Sequence, residues 1–403
     1  MMRLRGRLRF FLLPQLVIAV ALFAQGNAKA SRSDGNEDAP GVSVAVYSTI
    51  APDDIGAHIA AIQGPRSGTG SETQRAKLNE VTGYIRNLLT GYGLNVSEDP
   101  VTFAGQTFPN IVGSLRGTTC PEKTFIVGAH YDGVSAGPGA DDDASGVAAM
   151  LEIAHMLSAQ PLQASVDFAA FSFEEAGMVG STQMAEVARS TGRDLVGMFS
   201  LEMVGYTCDV PGCQSYPAGI EPPRPTGDFL SIIGNANSTS LLNGFASASA
   251  AAVPGLIVLP LEVPGNGETL PDVRRSDHAP FWDRGYQALL VTDTANLRNP
   301  NYHQAGDTLD TLNLQFAADV SNAALATVVD TLTADTNGDG RADVCGTAAV
   351  GGKVESPQPQ ISSESKKDGS SSPDVLVFVI LAAGGIAALA LAGGLYVTVR
   401  SRR

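Results

Sequence analysis

Residues able to do metal or acid–base chemistry gather in four short stretches of this chain. The first runs from Gly128 to Gly146. It reads Gly128-Ala129-His130-Tyr131-Asp132, then a Gly/Pro loop, then Gly139-Ala140-Asp141-Asp142-Asp143-Ala144-Ser145-Gly146. Thr124 to Val127, just before it, is a β-branched apolar run that reads as a buried strand. Val147, Met150, Leu151 and Ala154, just after it, recur at helical spacing. His130 and Asp132 are therefore expected at a strand's C-terminal end, where open α/β sheets bind ligands. The acidic triplet is expected where a helix begins. Three adjacent aspartates repel one another unless something positive neutralises them. A helix N-terminus helps a little, and a divalent cation helps far more. A solvated loop with capping aspartates explains the triplet but not the His-x-Asp ahead of it. A metal-bound histidine usually donates its other ring N–H to a carboxylate, and His130 with Asp132 has the spacing for that.

The other three stretches also follow apolar strands. Val166 to Phe173 runs into Glu174-Glu175, a pair that divides naturally into one metal ligand and one general base. On a straight strand these two side chains point apart. Both serve one site only if the chain turns there, which Ala176-Gly177 permits. Met198 to Met203 is a strand carrying Glu202 near its end. Ala288 to Val291 precedes Asn299-Pro300-Asn301-Tyr302-His303-Gln304-Ala305-Gly306-Asp307-Thr308. The chain has only five histidines, and two of them, His130 and His303, lie beside carboxylates after strands.

In chain order the motifs are His-x-Asp, Gly-Ala-Asp-Asp-Asp-Ala-Ser-Gly, Glu-Glu-Ala-Gly, Glu-Met-x-Gly-Tyr, Ser-Asp-His-Ala-Pro-Phe and Tyr-His-x-x-x-Asp-Thr. This order resembles the co-catalytic di-zinc exopeptidases of peptidase family M28, which include secreted bacterial leucyl aminopeptidases and glutamate carboxypeptidase II. The resemblance covers Gly41 to Thr333. It implies a three-layer α/β fold, a mixed and mostly parallel twisted sheet with helices on both faces. It also implies two zinc ions bridged by Asp142, with His130 and Glu202 completing one shell and Glu175 and His303 the other. Glu174 would be the general base and Asp132 the partner of His130. Many members of the family have Asp where this chain has Glu202, and the longer side chain can still ligate.

The elements that must carry these residues can be read in outline. Ile50 to Ile62 and Ser71 to Tyr92 read as helices, the second with Leu78, Val81, Ile85, Leu88 and Leu89 in one stripe and Gly93 placed to end it. Strands follow at Val96 to Phe103 and Phe108 to Leu115. The later alternation of strands and helices argues a sheet covered on both faces, and Leu312 to Leu332 closes the series as a long helix. Ser276-Asp277-His278 reads as the start of a short helix capped by Asp277, with Phe281 and Trp282 packing and His278 structural. Arg274 and Arg275 stay open as contacts for a substrate carboxylate or carbonyl. Val273 stands where some family aminopeptidases place a tyrosine, which leaves the oxyanion-stabilising group unassigned. The Pro-rich run from Tyr216 to Gly227 reads as a surface excursion, favoured as part of a substrate rim over a spacer.

Of 403 residues, 26 are Lys or Arg and 41 Asp or Glu, a net charge of −15. An acidic chain without basic clusters argues against nucleic acid as a partner. The ends read as targeting segments. Residues 1–30 have an Arg-rich start, an apolar stretch and an Ala28-Lys29-Ala30 site, as a cleaved signal peptide does. Residues 31–40 read as a disordered new N-terminus. Residues 346–374 are Ser, Lys and Pro rich, a flexible stalk. Residues 375–399 form an uncharged apolar run long enough to span a bilayer, and Arg400, Arg402 and Arg403 should stay cytoplasmic. The expectation is a single-pass cell-membrane protein with residues 41–333 as an extracytoplasmic peptidase domain. Behind a signal peptide, four cysteines permit disulfides. Cys208 with Cys213 can close a small loop, leaving Cys120 with Cys345. Asp335, Asn337, Asp339 and Asp343 read equally as a calcium loop's early ligands or as a Gly/Asp-rich linker.

The resemblance makes an aminopeptidase acting on peptides the leading expectation. A carboxypeptidase would need cations, for which Arg274 and Arg275 are the candidates. A receptor on a dead scaffold, as the transferrin receptor is in this family, is opposed by retention of all five ligands and the base. A single-zinc acyltransferase of the glutaminyl cyclase type is a third alternative, opposed by the Asp-Asp-Asp-Ala-Ser-Gly form. Side-chain preference and oligomeric state are not legible.

Overall fold

The computed structural model describes residues 49–346, apart from 219 and 221. The expected signal peptide, acidic N-terminus, stalk beyond Gly346, membrane span and basic tail lie outside the described residues. Among the described residues no helix is long and apolar enough to cross a membrane.

In chain order the main elements are α1 (Pro52–Ile62), α2 (Glu72–Gly91), β1 (Asn95–Phe103), β2 (Gln106–Leu115), β3 (Cys120–His130) and α3 (Gly146–Ser158). Then come β4 (Ala164–Phe171), α4 (Val179–Thr191), β5 (Asp194–Glu202), β6 (Leu230–Asn235) and α5 (Thr239–Ala252). The series ends with β7 (Val258–Val263), α6 (His278–Asp283), β8 (Leu289–Thr292) and α7 (Leu314–Thr333). One eight-stranded sheet has the order β1-β2-β4-β3-β5-β8-β6-β7. The central strands β4, β3, β5 and β8 run parallel. The flanks attach antiparallel, β2 on β4 and β6 on β8.

Side-chain alternation along β3 fills both faces. Phe125, Val127 and Ala129 enter a core with residues of α1, α2, α3, α5 and α7. Ile126 enters a second core with Met184, Ala185, Phe281 and Trp282 of α4 and α6. The result is the expected three layers. The helices form where caps and stripes agree. Ser71 accepts from the Gln74 N–H while the Gln74 side chain accepts from the Ser71 N–H, a capping box that starts α2. Leu78, Val81, Ile85 and Leu89 then bury one face. Gly93, at φ +81°, turns the chain out.

β3 lies between β4 and β5, so the chain leaves β3 to one side and later returns to the other. The carboxyl ends around such a reversal form a crevice between diverging loops. The two disulfides are the pairings expected: Cys208–Cys213 closes a small loop, and Cys120–Cys345 joins distant parts of the chain. The second ties the start of β3 to the segment beyond α7. The calcium expectation finds no support. Asp335 and Asn337 accept the backbone N–H groups of Asp339 and Gly340, and Asp343 accepts the N–H and the hydroxyl of Thr336. Among the described residues the only groups of three or more candidate metal ligands lie elsewhere.

Candidate metal centre

All seven residues singled out from sequence meet at the carboxyl ends of β3, β4, β5 and β8. β3 ends in His130, and Asp132 follows it. β4 stops at Phe171, earlier than its apolar run suggests. Phe173 takes φ +56° and turns the chain before the glutamate pair, and Gly177 and Met178, at φ +107° and +59°, turn it again. The corner brings Glu174 and Glu175 to one side, where a straight strand would separate them. Glu202 closes β5, and the loop after β8 carries His303 at φ +58°.

Asp142 stands in the middle. Its Oδ1 is 3.2 Å from His130 Nε2, which is 3.4 Å from Glu202 Oε2. Its Oδ2 is 3.1 Å from His303 Nε2, which is 3.1 Å from Glu175 Oε2. Two triads thus share one carboxylate, each with its ligand atoms within 4.8 Å of one another. His130 Nδ1 and Nε2, Asp142 Oδ2, Glu175 Oε1 and His303 Nε2 are buried without a hydrogen-bond partner. Buried polar atoms are nearly always paired, and orphans point to an ion or water. A set of two imidazoles and three carboxylates suits zinc.

Electrostatics point the same way. Burial alone would lower both histidines, but the surrounding carboxylates reverse this. His130 is pushed well above its ordinary value, by Glu202 and Glu174 above all, and Asp142 and Glu175 raise His303 to about 10. Burial raises Glu174 well above the ordinary carboxylate range and Glu175 to about 7. Without metal, protons supply the positive charge that this crowd of carboxylates demands.

The acidic triplet divides its labour in a way its repetition conceals. Asp143 Oδ1 accepts the N–H groups of Gly146 and Met203, and its Oδ2 accepts that of His130. Asp141 accepts from Gly205 N–H and from the Asn299 side chain. Only Asp142 presents its carboxylate to the histidines. Main-chain N–H groups, with the Asn299 amide, therefore hold two of the three carboxylates, a larger share than the small help expected from a helix N-terminus. The triplet also forms an irregular turn, with Asp142 and Asp143 off helical geometry, and α3 starts only at Gly146. A Cβ at Gly146 would lie 2.3 Å from Leu201 O, so only glycine lets α3 approach β5 this closely.

Other supports went unread in the sequence. Asp307 accepts the N–H groups of both Asp141 and Asp142. The Ser276 hydroxyl donates to Glu202 Oε2 at 2.8 Å and also meets Ser200 Oγ. Asp307 and Ser276 sit inside the quoted motifs, which was the one signal available. Asp132 Oδ1 accepts the Glu174 N–H at 3.0 Å and lies 3.7 Å from His130 Nδ1, beyond hydrogen-bond length.

The Ser-Asp-His stretch differs from expectation. Asp277 does not cap α6; it is fully buried, both oxygens lack a partner, and burial raises it to about 7. His278 is structural as expected, bonded to Val273 O, packed edge-on against Trp282 and lowered by burial to about 3. Arg274 pairs with Asp283 and Asn266 O. Arg275 donates to Asn296 and to Tyr302 OH, and the Tyr302 ring stacks on His303 with centroids 3.8 Å apart. A cavity of about 260 Å³ opens beside Asp132 and Glu175, lined by Phe103, Phe173 and Val134 together with Ser67 to Thr69. A larger one, about 500 Å³, is lined by Asp209, Asp228 and Asp319 and touches neither triad. Gln214 and Ser215, just ahead of the Tyr216–Gly227 excursion, bond to the loop leading to His303.

Known proteins resemble this chain in sequence and in fold. The model of Peptidase family M28 matches residues 110–328, more than half of the chain. An uncharacterized protein, YfbL of Escherichia coli strain K12, is 34% identical over 264 residues, 62% of this chain and 79% of that protein. A probable zinc metalloprotease of Leptosphaeria maculans is 27% identical over 249 residues, 54% of this chain and 56% of that one. This chain spans about half the length of such fungal relatives. The aminopeptidase from Aneurinibacillus sp. strain AM-1 superposes with a TM-score of 0.54 at 17% identity, over 70% of this chain and 94% of that one. A glutaminyl cyclase of Bacteroides thetaiotaomicron does so at 0.53 and 16%, over 70% and 98%. At these identities the likeness is one of fold.

Proposed function

The chain belongs to peptidase family M28 and is a metallopeptidase, and from that premise we propose that it is a two-zinc aminopeptidase of free peptides, tethered outside the cell by its C-terminal apolar run. The observation that carries the two-metal reading is the sharing of Asp142, one oxygen toward each histidine. A single-zinc acyltransferase has no use for the second triad, and a dead scaffold has no need to keep it.

His130, Asp142 and Glu202 would hold one zinc, and Asp142, Glu175 and His303 the other. Zinc, when bound, supplies an acidified water and a Lewis acid for the scissile carbonyl. Glu174 takes the proton of the attacking water and returns it to the leaving amine. Its burial suits this, because a buried carboxylate accepts a proton readily. Asp132 fixes Glu174 through its backbone N–H and stands by His130 Nδ1. The excess of carboxylates around the centre favours a substrate's free α-amino group over its α-carboxylate. Arg274 and Arg275, the cations a carboxypeptidase reading requires, are both engaged by protein partners.

The reading is tested with peptides of one sequence, N-terminally free or acetylated, together with zinc content. Free peptides should lose one residue at a time and acetylated ones none, with two zinc equivalents per chain. Trimming of the acetylated peptides from the C-terminus would transfer the assignment to a carboxypeptidase. For the tether, the full chain should fractionate with membranes, and a chain ending at Cys345 should be released and active. An intact full chain in the soluble fraction would remove the anchor.

A further inference from the structure

We infer that Arg66, in the loop between α1 and α2 and outside the family-matched region, is a positioning residue that sets the span between His130 and Asp142. The inference rests on the two-metal reading above. Arg66 is a fully buried arginine. Its Nε donates to Tyr131 O at 2.9 Å, and Tyr131 stands between His130 and Asp132. Its Nη1 donates to Pro138 O at 2.7 Å, and its Nη2 reaches Asp142 O at 3.4 Å. One planar group thus grips the main chain at both ends of the loop joining the first histidine to the shared carboxylate. The loop is rich in glycine, and Arg66 acts beside other ties: Gly64 N–H to Pro138 O, the Gln74 amide to Ser135 O, the Asp141 and Asp142 N–H groups to Asp307, and the His130 N–H to Asp143. Gly139 marks where the guanidinium passes: it takes φ +61°, and a Cβ there would lie 2.9 Å from Nη1 and 2.3 Å from Asp142 O.

The chemistry of the group matters as much as its place. Every hydrogen bond Arg66 makes goes to a main-chain carbonyl. It therefore brings a positive charge close to Asp132, Asp142, Asp143 and Asp307 without occupying an oxygen a metal needs. Its donors lie in one rigid fork and reach four carbonyls at once, those of Gly64, Tyr131, Pro138 and Asp142, whereas a lysine ammonium is a compact charge on a flexible stem. Arg66 thereby holds two ligands at a fixed separation and offsets part of the carboxylate repulsion before metal arrives.

The test compares the full-length wild type with Arg66→Lys and Arg66→Met. Zinc affinity is read by chelator competition, geometry from the visible spectrum of the cobalt-substituted protein, and fold from thermal melting with and without metal. Removing a group that orients metal ligands typically costs roughly 10–100-fold in affinity. Arg66→Lys should melt close to wild type yet lose zinc affinity on that scale and show an altered cobalt spectrum. Arg66→Met should lose more, with partial recovery of affinity on adding methylguanidinium. If Arg66→Met fails to fold, Arg66→Lys still decides the matter. Wild-type affinity and an unchanged cobalt spectrum in Arg66→Lys would overturn the role of Arg66 alone. A wild-type chain that does not bind two zinc equivalents would overturn the two-metal reading and this inference with it.

Discussion

The triad of His130, Asp142 and Glu202 and the triad of Asp142, Glu175 and His303 share a carboxylate but are held by different parts of the molecule. The first belongs to the sheet. His130 and Glu202 end two adjacent parallel strands, β3 and β5, and Asp143 ties the N–H groups of His130 and Met203 together. Their side chains are 1% and 10% exposed. The second belongs to loops. Glu175 follows the turn after β4, and His303 sits beyond β8 with its side chain 33% exposed, braced by Tyr302 against one ring face. Strand register fixes distances between neighbouring strand ends without help from side chains. Loop residues must be fixed by individual contacts, and these open more easily. The first half should therefore bind metal as part of the framework and the second should exchange it more freely.

The shared carboxylate offers the sharpest test. Asp142→Asn removes the charge from both triads and should abolish turnover and lower zinc content at both positions by metal analysis. Loss of a single equivalent would mean that Asp142 serves one triad alone. Next in size is Glu174→Gln, which keeps shape but cannot accept a proton. It should retain both metals while kcat falls by roughly 10²–10⁴-fold. Glu175→Gln should weaken one metal as well, because a neutral amide is a poor ligand for a dication. Metal loss in Glu174→Gln with retention in Glu175→Gln would reverse the two roles.

The contrast itself is tested by removing each histidine. His303→Ala should lose most of one zinc equivalent with little change in the melting temperature of the metal-free chain. His130→Ala should lose its metal and also melt lower, because it empties a fully enclosed position. Equal effects on melting would break the distinction between framework and loop.

The smallest effect is on the pH dependence of the metal-free chain. Burial raises Asp277 and Glu175 to about 7. A carboxyl raised on folding favours the folded state while protonated, so this support is lost as pH rises from about 4 through about 7. Burial opposes protonation of His303, but Asp142 and Glu175 raise it to about 10. Its contribution is complete below about 6.5 and disappears as pH rises through about 10. Both trends have one sign: the metal-free chain should melt lower at pH 9 than at pH 6, both taken as approximate marks within that window. With zinc restored, protons compete for the same atoms and the slope should flatten or reverse. An unchanged slope would mean that Glu175 and His303 are not metal ligands.

Much of this centre was legible before any coordinates. His130, Glu175 and Glu202 lie at or just beyond the end of an apolar strand, and a strand is a local pattern that its own side chains announce, while Asp142 and His303 follow their strands across a loop. The corner at Phe173 was legible only as a requirement, since the glycine that permits a turn follows the glutamates while the turn itself also precedes them. Asp277 was misread because a residue before a short helix looks like a cap. Its true surroundings, the centre itself and the residues packed over it, come from distant parts of the chain.

The sequence by itself determined the layered α/β fold, the order of the strands' chemistry and the seven residues that meet at their ends, because ligand type and strand position are encoded within a few residues of each other. Only the tertiary structure decided which carboxylates face the histidines and which brace the backbone. Asp141 finds Asn299 across 158 residues, Asp142 finds Asp307 across 165, and Arg66 reaches Asp142 across 76. Three identical neighbours in the sequence become one candidate ligand and two struts because folding brings a different set of N–H groups to each, and no local pattern carries that information.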